Sequence, residues 1–159
     1  MGKLCAVCLA WFGVMAPAYA AELSAQDYAE IQQLYARYNL AIDNGDGEAW
    51  AATFTPDGVF NTFAGHDALV GFVKNWRQNM HGGARRHWNS NLSIAGNSQT
   101  ATGSVYLLLV DISSKPVSIA FSGTYSDTLI KTKQGWRFSK RTVVADTPAD
   151  AATPSPKGD

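Results

Sequence analysis

Two residues are the first candidates for chemistry in this chain, His87 and Asp43. His87 lies in a segment where polar residues occupy the odd positions, while Trp88 and Leu92 occupy even positions. A histidine titrates near neutral pH, so it can take a proton from a substrate when a carboxylate orients its ring. The alternative is a histidine on the water-facing side of an ordinary sheet.

Asp43 falls in the last turn of a predicted helix, beside the negative end of the helix dipole. An exposed carboxylate there is unfavourable by roughly 0.3–1 kcal/mol. A positive partner would offset this, and His87 is the candidate. The alternative is that Asp43 belongs to a polar turn with Asn44, Gly45 and Asp46, since aspartate is common in turns.

Other catalytic chemistries lack their sequence signatures. The three histidines form no His-x-His or His-Glu-x-x-His pattern, so we expect no metal site. A Gly-x-Ser-x-Gly elbow, a glycine-rich phosphate loop and a dinucleotide fingerprint are also absent from the sequence. His66 and His81 fall in predicted loops and receive no role. Proton transfer without a cofactor is the chemistry that remains.

Composition narrows the class of protein. The 159 residues predict one domain, and 46% apolar residues suffice for a core. The 13 basic and 13 acidic residues balance, which argues against a nucleic-acid-binding protein. We therefore expect no nucleic-acid partner.

Residues 1–20 have the pattern of a secretory signal peptide. Lys3 supplies the positive start, a short apolar run follows, and Ala18-Tyr19-Ala20 is a small-x-small cleavage site. The alternative, a membrane anchor, needs a run of roughly 20 apolar residues, and this one is shorter. Cleavage after Ala20 removes Cys5 and Cys8, so we expect an exported, periplasmic or secreted protein without disulfides.

Helices are predicted in the first half of the mature chain. Ser24 and Asp27 resemble a capping box, and apolar residues at helical spacing continue to a stop at Asn44-Gly45. A second short helix is predicted over 48–54, followed by a Thr-Pro-Asp-Gly turn at 55–58, a strand over 59–63 and a third helix over 68–76.

The second half is rich in β-branched and aromatic residues. Four antiparallel strands are predicted over 87–94, 100–110, 117–130 and 136–145. Helices first and strands afterwards indicate an α+β domain over 21–146. From residue 147 the chain contains nothing apolar larger than alanine, which predicts a disordered tail over 147–159.

Several short motifs, in this order, carry a family resemblance that spans about residues 24–146. They are Tyr38 to Asp43 with Gly45-Asp46, Trp50, Phe54 to Phe60, Arg86-His87 with Asn91, Gly123-Thr124-Tyr125 with Asp127, and Gly135 to Phe138 with Arg141. The chain resembles the SnoaL-like branch of the NTF2-like superfamily, near scytalone dehydratase, bile-acid dehydratase and hexachlorocyclohexane dehydrochlorinase. The resemblance implies a cone in which three N-terminal helices pack on a curved, mostly antiparallel sheet that encloses a pocket.

The same resemblance implies roles for five residues. Asp43 and His87 would form the catalytic pair, with Tyr38 where dehydratase relatives place a tyrosine and the dehydrochlorinase a lysine. Arg141 and Asn91 match substrate-binding positions. From the residues alone, packing explains Tyr38 and solvent exposure explains Arg141. Tyr38 and Asp43 are also about 140° apart on an ideal helix, so they converge only if the pocket wraps its end.

The expected function is therefore a cofactor-independent lyase, a dehydratase or related elimination enzyme, acting on a small apolar aromatic or alicyclic compound. A double-bond isomerase would use the same parts, and a non-catalytic pocket for a hydrophobic ligand is the third alternative. The strand over 100–110 is apolar on both faces, with Tyr106, Leu108 and Val110 on the second side, which predicts a homodimer or homotrimer.

Overall fold

The computed structural model describes residues 20–80 and 84–146. The predicted signal peptide, apart from Ala20, the predicted tail and His81 lie outside the described residues. The helices are α1 (Ala25–Asn44), α2 (Gly47–Ala51) and α3 (His66–Asn79). The strands are β1 (Phe54–Phe60), β2 (Phe63–Ala64), β3 (Arg85–Gly96), β4 (Thr100–Asp111), β5 (Ser118–Thr132) and β6 (Gly135–Ala145).

Local signals set both ends of α1, as the sequence predicts. The Ser24 side chain accepts a hydrogen bond from the N–H of Asp27, and the Asp27 carboxylate accepts one from the N–H of Ser24. At the other end Gly45 adopts a left-handed conformation with φ 73°, and its N–H donates to the carbonyl of Ile42 at 3.0 Å. The helix therefore ends at Asn44, one residue after Asp43, which fixes the position of Asp43 in the fold.

The sheet has the strand order β2-β1-β6-β5-β4-β3. All neighbours are antiparallel except β1 and β6, which run parallel. The helices pack on one face of this curved, mostly antiparallel sheet, which does not close, so the predicted α+β fold is confirmed. None of the described helices is long and apolar enough to cross a membrane. β3 is an edge strand, and this position matters for the site.

One segment differs from its prediction. The second helix ends at Ala51, and the predicted turn at 55–58 lies within β1. Phe54 pairs with Phe138 of the parallel strand β6 and packs against Trp50 at 5.1 Å between ring centroids. Burial of this aromatic ring and pairing with β6 outweigh the turn-forming residues. A register shift between Phe54 and Val59 accommodates the proline and glycine within the strand.

Candidate functional site

The structure brings His87 and Asp43 into direct contact. Nδ1 of His87 lies 2.6 Å from Oδ1 of Asp43, a short hydrogen-bond distance. The backbone N–H of His87 also donates toward both carboxylate oxygens, each at 3.2 Å. The carboxylate is thus held by the ring and the backbone of one residue, and the imidazole cannot rotate without breaking this arrangement.

The position of β3 at the sheet edge explains the backbone contact. His87 is opposite Leu109 of β4, and an edge strand has N–H groups with no neighbouring strand to bond. The last turn of α1 brings the Asp43 carboxylate to this open side, where it accepts the N–H of His87. The carboxylate therefore accepts hydrogen bonds from a backbone N–H at the sheet edge and from a ring that can become positive. These contacts offset its unfavourable position beside the negative end of the helix dipole.

The contact leaves the second ring nitrogen of His87 available. A hydrogen bond from Nδ1–H to the carboxylate puts the lone pair on Nε2. Among residues 20–80 and 84–146, no side chain or backbone group hydrogen-bonds Nε2. The side chains of His87 and Asp43 are only 5% and 6% exposed, and the Trp76 ring packs against the imidazole at 5.6 Å. Asp43 can therefore orient His87 as a base at a position that is largely closed to water.

The burial of Leu92 and Ile94 on β3 differs from the predicted alternation. Regular alternation placed Leu92 and Ile94 opposite the histidine and left a water-facing histidine as the alternative. In the structure the register shifts between Ser90 and Ser93, and Asn91 adopts φ 56°. This bulge reverses the alternation, so His87 is buried and Leu92 and Ile94 also pack against the core. Asn91 itself is exposed at the bulge, away from the contact between His87 and Asp43.

Tyr38 lies deep in an aromatic cluster. It is fully buried, and its ring centroid is 5.2 Å from that of Trp50 and 5.7 Å from that of Phe138. Its hydroxyl makes no hydrogen bond of ordinary geometry to the described residues. Burial raises the pKa of Tyr38 well above its usual range, and Tyr125 acts in the same direction. Tyr38 is therefore a neutral hydroxyl that can donate.

Arg141 is buried, so the expectation of a solvated strand arginine is wrong. Its Nε and Nη2 donate to the two oxygens of Asp127, each at 2.7 Å, and Tyr35 also donates to this carboxylate. The guanidinium carbon lies 4.0 Å from the ring centroid of Phe138 and 4.2 Å from that of Tyr38. Burial opposes the charge, but Asp127 more than offsets it and keeps the pKa of Arg141 above its ordinary value.

Tyr125 lies near Tyr38 and Arg141, and it is also affected by the charge of Asp43. Its ring centroid is 5.9 Å from that of Tyr38 and 4.2 Å from the guanidinium carbon of Arg141. Burial raises the pKa of Tyr125 to about 12, and the charge of Asp43 contributes to the increase. Tyr125 therefore packs against Tyr38 and also senses the charge of Asp43, although Tyr38 and Asp43 point in different directions from α1.

Comparison with known proteins identifies the family. The family model of the SnoaL-like domain matches residues 23–142. The chain belongs to the SnoaL-like domain family. Uncharacterised proteins of Mycobacterium bovis and Mycobacterium tuberculosis are 29% identical to it over 127 residues, covering 76% of this chain and 85% of each relative.

Solved structures resemble this SnoaL-like domain throughout its length. A protein of unknown function from Mycobacterium tuberculosis matches with a TM-score of 0.72 and 30% identity, covering 86% of this chain and 80% of that one. An NTF2-like protein with a cystatin-like fold from Novosphingobium aromaticivorans matches with a TM-score of 0.71 and 25% identity, covering 80% and 86%. A protein from Catenulispora acidiphila, solved in complex with S-DNPA, matches with a TM-score of 0.68 and 29% identity, covering 77% and 96%.

Sequence reasoning assigned no role to three residues of this SnoaL-like domain that join the site. Tyr125 and Asp127 alternate inward on β5, and their motif was noted only for its resemblance. Asn39 lies one helical turn before Asp43 and contacts Asn89 of β3. The i, i+4 spacing of Asn39 and Asp43 could have indicated a shared helix face, but nothing local identifies the strand that covers it.

Two surface pockets of the SnoaL-like domain, about 440 Å³ each, lie away from His87. One is lined by α1 residues from Gln26 to Arg37 and by Trp136, and the other by residues around Asn44 and Arg77. Among the described residues, no three His, Cys, Asp or Glu side chains are grouped as metal ligands would be. His87 lies outside both of these pockets, and its contact with Asp43 offers an oriented base.

Proposed function

We propose that this SnoaL-like protein is a cofactor-independent lyase that eliminates water or another small group from a small alicyclic or aromatic compound. The observation that supports it most strongly is the 2.6 Å contact between Nδ1 of His87 and the Asp43 carboxylate, with no hydrogen-bond partner for Nε2 in the part of the chain that the structure describes. A carboxylate in this position orients the ring and stabilises the imidazolium that forms when Nε2 takes a proton. His87 is thus the proposed general base.

The reaction would proceed through proton removal from carbon. Nε2 of His87 takes a proton from the carbon next to a carbonyl, and the freed electron pair forms the new double bond. The C–O bond of the leaving hydroxyl breaks, and the hydroxyl departs as water with the proton that Nε2 of His87 had taken, which restores the neutral imidazole. Tyr38, which stays protonated because burial raises its pKa, would hydrogen-bond the leaving oxygen or the carbonyl. Arg141 would add positive charge behind Tyr38.

The relatives support a small-molecule site. The Catenulispora acidiphila protein was solved with S-DNPA bound, so a similar fold admits a small organic ligand. A double-bond isomerase would use the same base and return the proton to another carbon. A protein that only binds its ligand would need no oriented base, so the contact between His87 and Asp43 favours catalysis.

The proposal is tested with a panel of cyclic β-hydroxyketones, following the ultraviolet absorbance of the conjugated enone. We expect His87→Ala and Asp43→Asn each to reduce turnover by about 100-fold to 10,000-fold while the protein stays folded. His66→Ala is the matched control, because His66 is an exposed histidine paired with Glu48 and Asp67. Turnover by the double variant at the wild-type rate would contradict the proposal.

We also propose that the protein self-associates through the outer face of its sheet. Trp88 and Tyr106 are 57% and 54% exposed there, and Leu108 pairs across the strands with Trp88. Val110, predicted on this face, is buried instead, because the β4–β5 register shifts at this residue. The side chains of Trp88, Tyr106 and Leu108 are uncharged, and their apolar surface would be buried between two copies. Light scattering should give a dimer or trimer, and Trp88→Glu should give a monomer.

Export is the last part of the proposal. Cleavage after Ala20 would give a mature chain that begins at Ala21. Expression of the full sequence in a bacterium, followed by periplasmic extraction and N-terminal sequencing, checks this. Recovery of the uncleaved chain from the cytoplasmic fraction alone would contradict it.

A further inference from the structure

A second polar contact joins α1 to β3, one helical turn before the contact between Asp43 and His87. Asn39 lies four residues before Asp43, and Asn89 lies two residues after His87, ahead of the bulge. The amide of Asn39 donates to the side-chain oxygen of Asn89, and the amide of Asn89 donates to the backbone carbonyl of Tyr106 at 3.4 Å. The two contacts thus form adjacent cross-links between the same helix face and the same strand face.

The backbone carbonyl of Tyr106 fixes the orientation of both asparagine amides. The carbonyl of Tyr106 can only accept, so Asn89 presents its NH₂ group to it and its oxygen to Asn39. Asn39 then uses its NH₂ group on Asn89, and its own oxygen, Oδ1, is the end of the chain. This oxygen is buried and has no hydrogen-bond partner among the described residues. An acceptor buried without a donor is unfavourable, so the site is complete only when a donor is supplied.

We propose that Oδ1 of Asn39 accepts a hydrogen bond from a hydroxyl group of the substrate. This inference rests on the proposed function, because it names the class of compound on which His87 acts. Residues i and i+4 are about 40° apart around a helix and about 6 Å apart along it, so Asn39 lies beside Asp43. A hydroxyl can satisfy the acceptor, whereas an ether or a halide cannot. Asn39 therefore selects hydroxylated substrates.

Matched pairs of compounds test this proposal. The probes are cyclic β-hydroxyketones of one to three rings and their O-methyl ethers, which keep the ring and the carbonyl but lack the hydroxyl donor. Titration calorimetry with the wild-type protein should show the hydroxyketones binding at least about tenfold more tightly than the ethers. Asn39→Leu should bring that ratio to about one.

Further variants separate this proposal from the proposed lyase activity. His87→Ala should keep the preference for hydroxyketones in binding while losing elimination. Preference without turnover in the wild type would support Asn39 as a recognition residue and contradict the lyase. Turnover without preference would overturn the role of Asn39 and leave the lyase standing.

Three results would overturn the proposal for Asn39. The first is equal binding of the hydroxyketones and ethers by the wild type, which would mean that only a solvent molecule satisfies the oxygen. The second is an unchanged preference in Asn39→Leu, which would mean that the ethers are rejected by their size. The third is that no hydroxyketone of the panel binds. Thermal unfolding checks that Asn39→Leu folds, and Asn39→Ala makes the same comparison if it does not.

Discussion

Two buried carboxylates, Asp43 and Asp127, each hold a basic side chain, and their surroundings differ. Asp127 accepts hydrogen bonds from Arg141 and Tyr35, and aromatic rings enclose the guanidinium. Among the residues that the structure describes, the Asp43 side chain accepts hydrogen bonds from His87 alone. The first group joins β5, β6 and α1 deep in the core, while the second lies where α1 ends at the edge strand.

The difference separates a structural group from a reactive one. Arg141 is fully buried, so its pair with Asp127 mainly holds the core together. His87 keeps one ring nitrogen without a partner among residues 20–80 and 84–146, and its other nitrogen is oriented by a carboxylate. A ring nitrogen with a lone pair, held in place by a carboxylate, is the arrangement expected of a catalytic base, whereas the guanidinium of Arg141 stays charged and has no lone pair to accept a proton.

Removal of one partner from each pair should give the largest difference in stability between the two sites. Arg141→Met leaves the Asp127 carboxylate buried without its cation, and we expect it to lower the free energy of unfolding by about 3–5 kcal/mol. Asp43→Asn keeps an acceptor for the N–H of His87, and we expect a loss of about 1–2 kcal/mol. Urea denaturation of both variants measures this. Equal losses would show that the two pairs play the same structural role.

A smaller effect is expected at Gly103, which makes room for the Asp127 group. A Cβ atom at this position would lie 2.1 Å from the Tyr35 hydroxyl. Gly103→Ala should therefore displace Tyr35 from Asp127 and lower stability by about 1–3 kcal/mol. Tyr35→Phe removes the hydroxyl that clashes, so the double variant should lose less than the sum of the single variants. Strict additivity in chemical denaturation would contradict this packing.

The smallest effect is expected at Asp27, the capping residue at the far end of α1. Hydrogen bonds from Lys131 and Ser24 hold the pKa of Asp27 below its ordinary value. Its contribution to stability is therefore present above the unfolded pKa of about 3.9 and is lost as the pH falls below that value. Asp27→Asn should lower Tm at pH 7, and its Tm difference from the wild type should shrink progressively as the pH falls below about 3.9. The exposed Asp57→Asn is the control, and a Tm difference that stays constant with pH would refute the linkage.

The parts of the fold that the sequence predicts are those with local causes. The capping box at Ser24 and the stop at Gly45 depend on neighbouring residues, and they place Asp43 correctly at the end of α1. The four long strands follow from runs of β-branched and aromatic residues. Asp43 and His87 were paired from their family motif, which carries information about contacts between distant segments.

The remaining features depend on register between distant strands. The bulge at Asn91 reverses the faces of β3, and alternation alone could not locate it. Phe54 joins β1 because Phe138 of β6 pairs with it. Arg141 is enclosed by rings from α1, β5 and β6, so its burial depends on three elements that come together only in the folded chain.

The central claim is that His87, oriented by Asp43, removes a proton from carbon. Incubation of cyclic ketones with the protein in D₂O, followed by NMR, measures deuterium uptake at the carbon next to the carbonyl. Wild-type protein and the His66→Ala control should catalyse the exchange, while His87→Ala and Asp43→Asn should return it to the rate without protein. Exchange by folded His87→Ala at the wild-type rate would contradict the account.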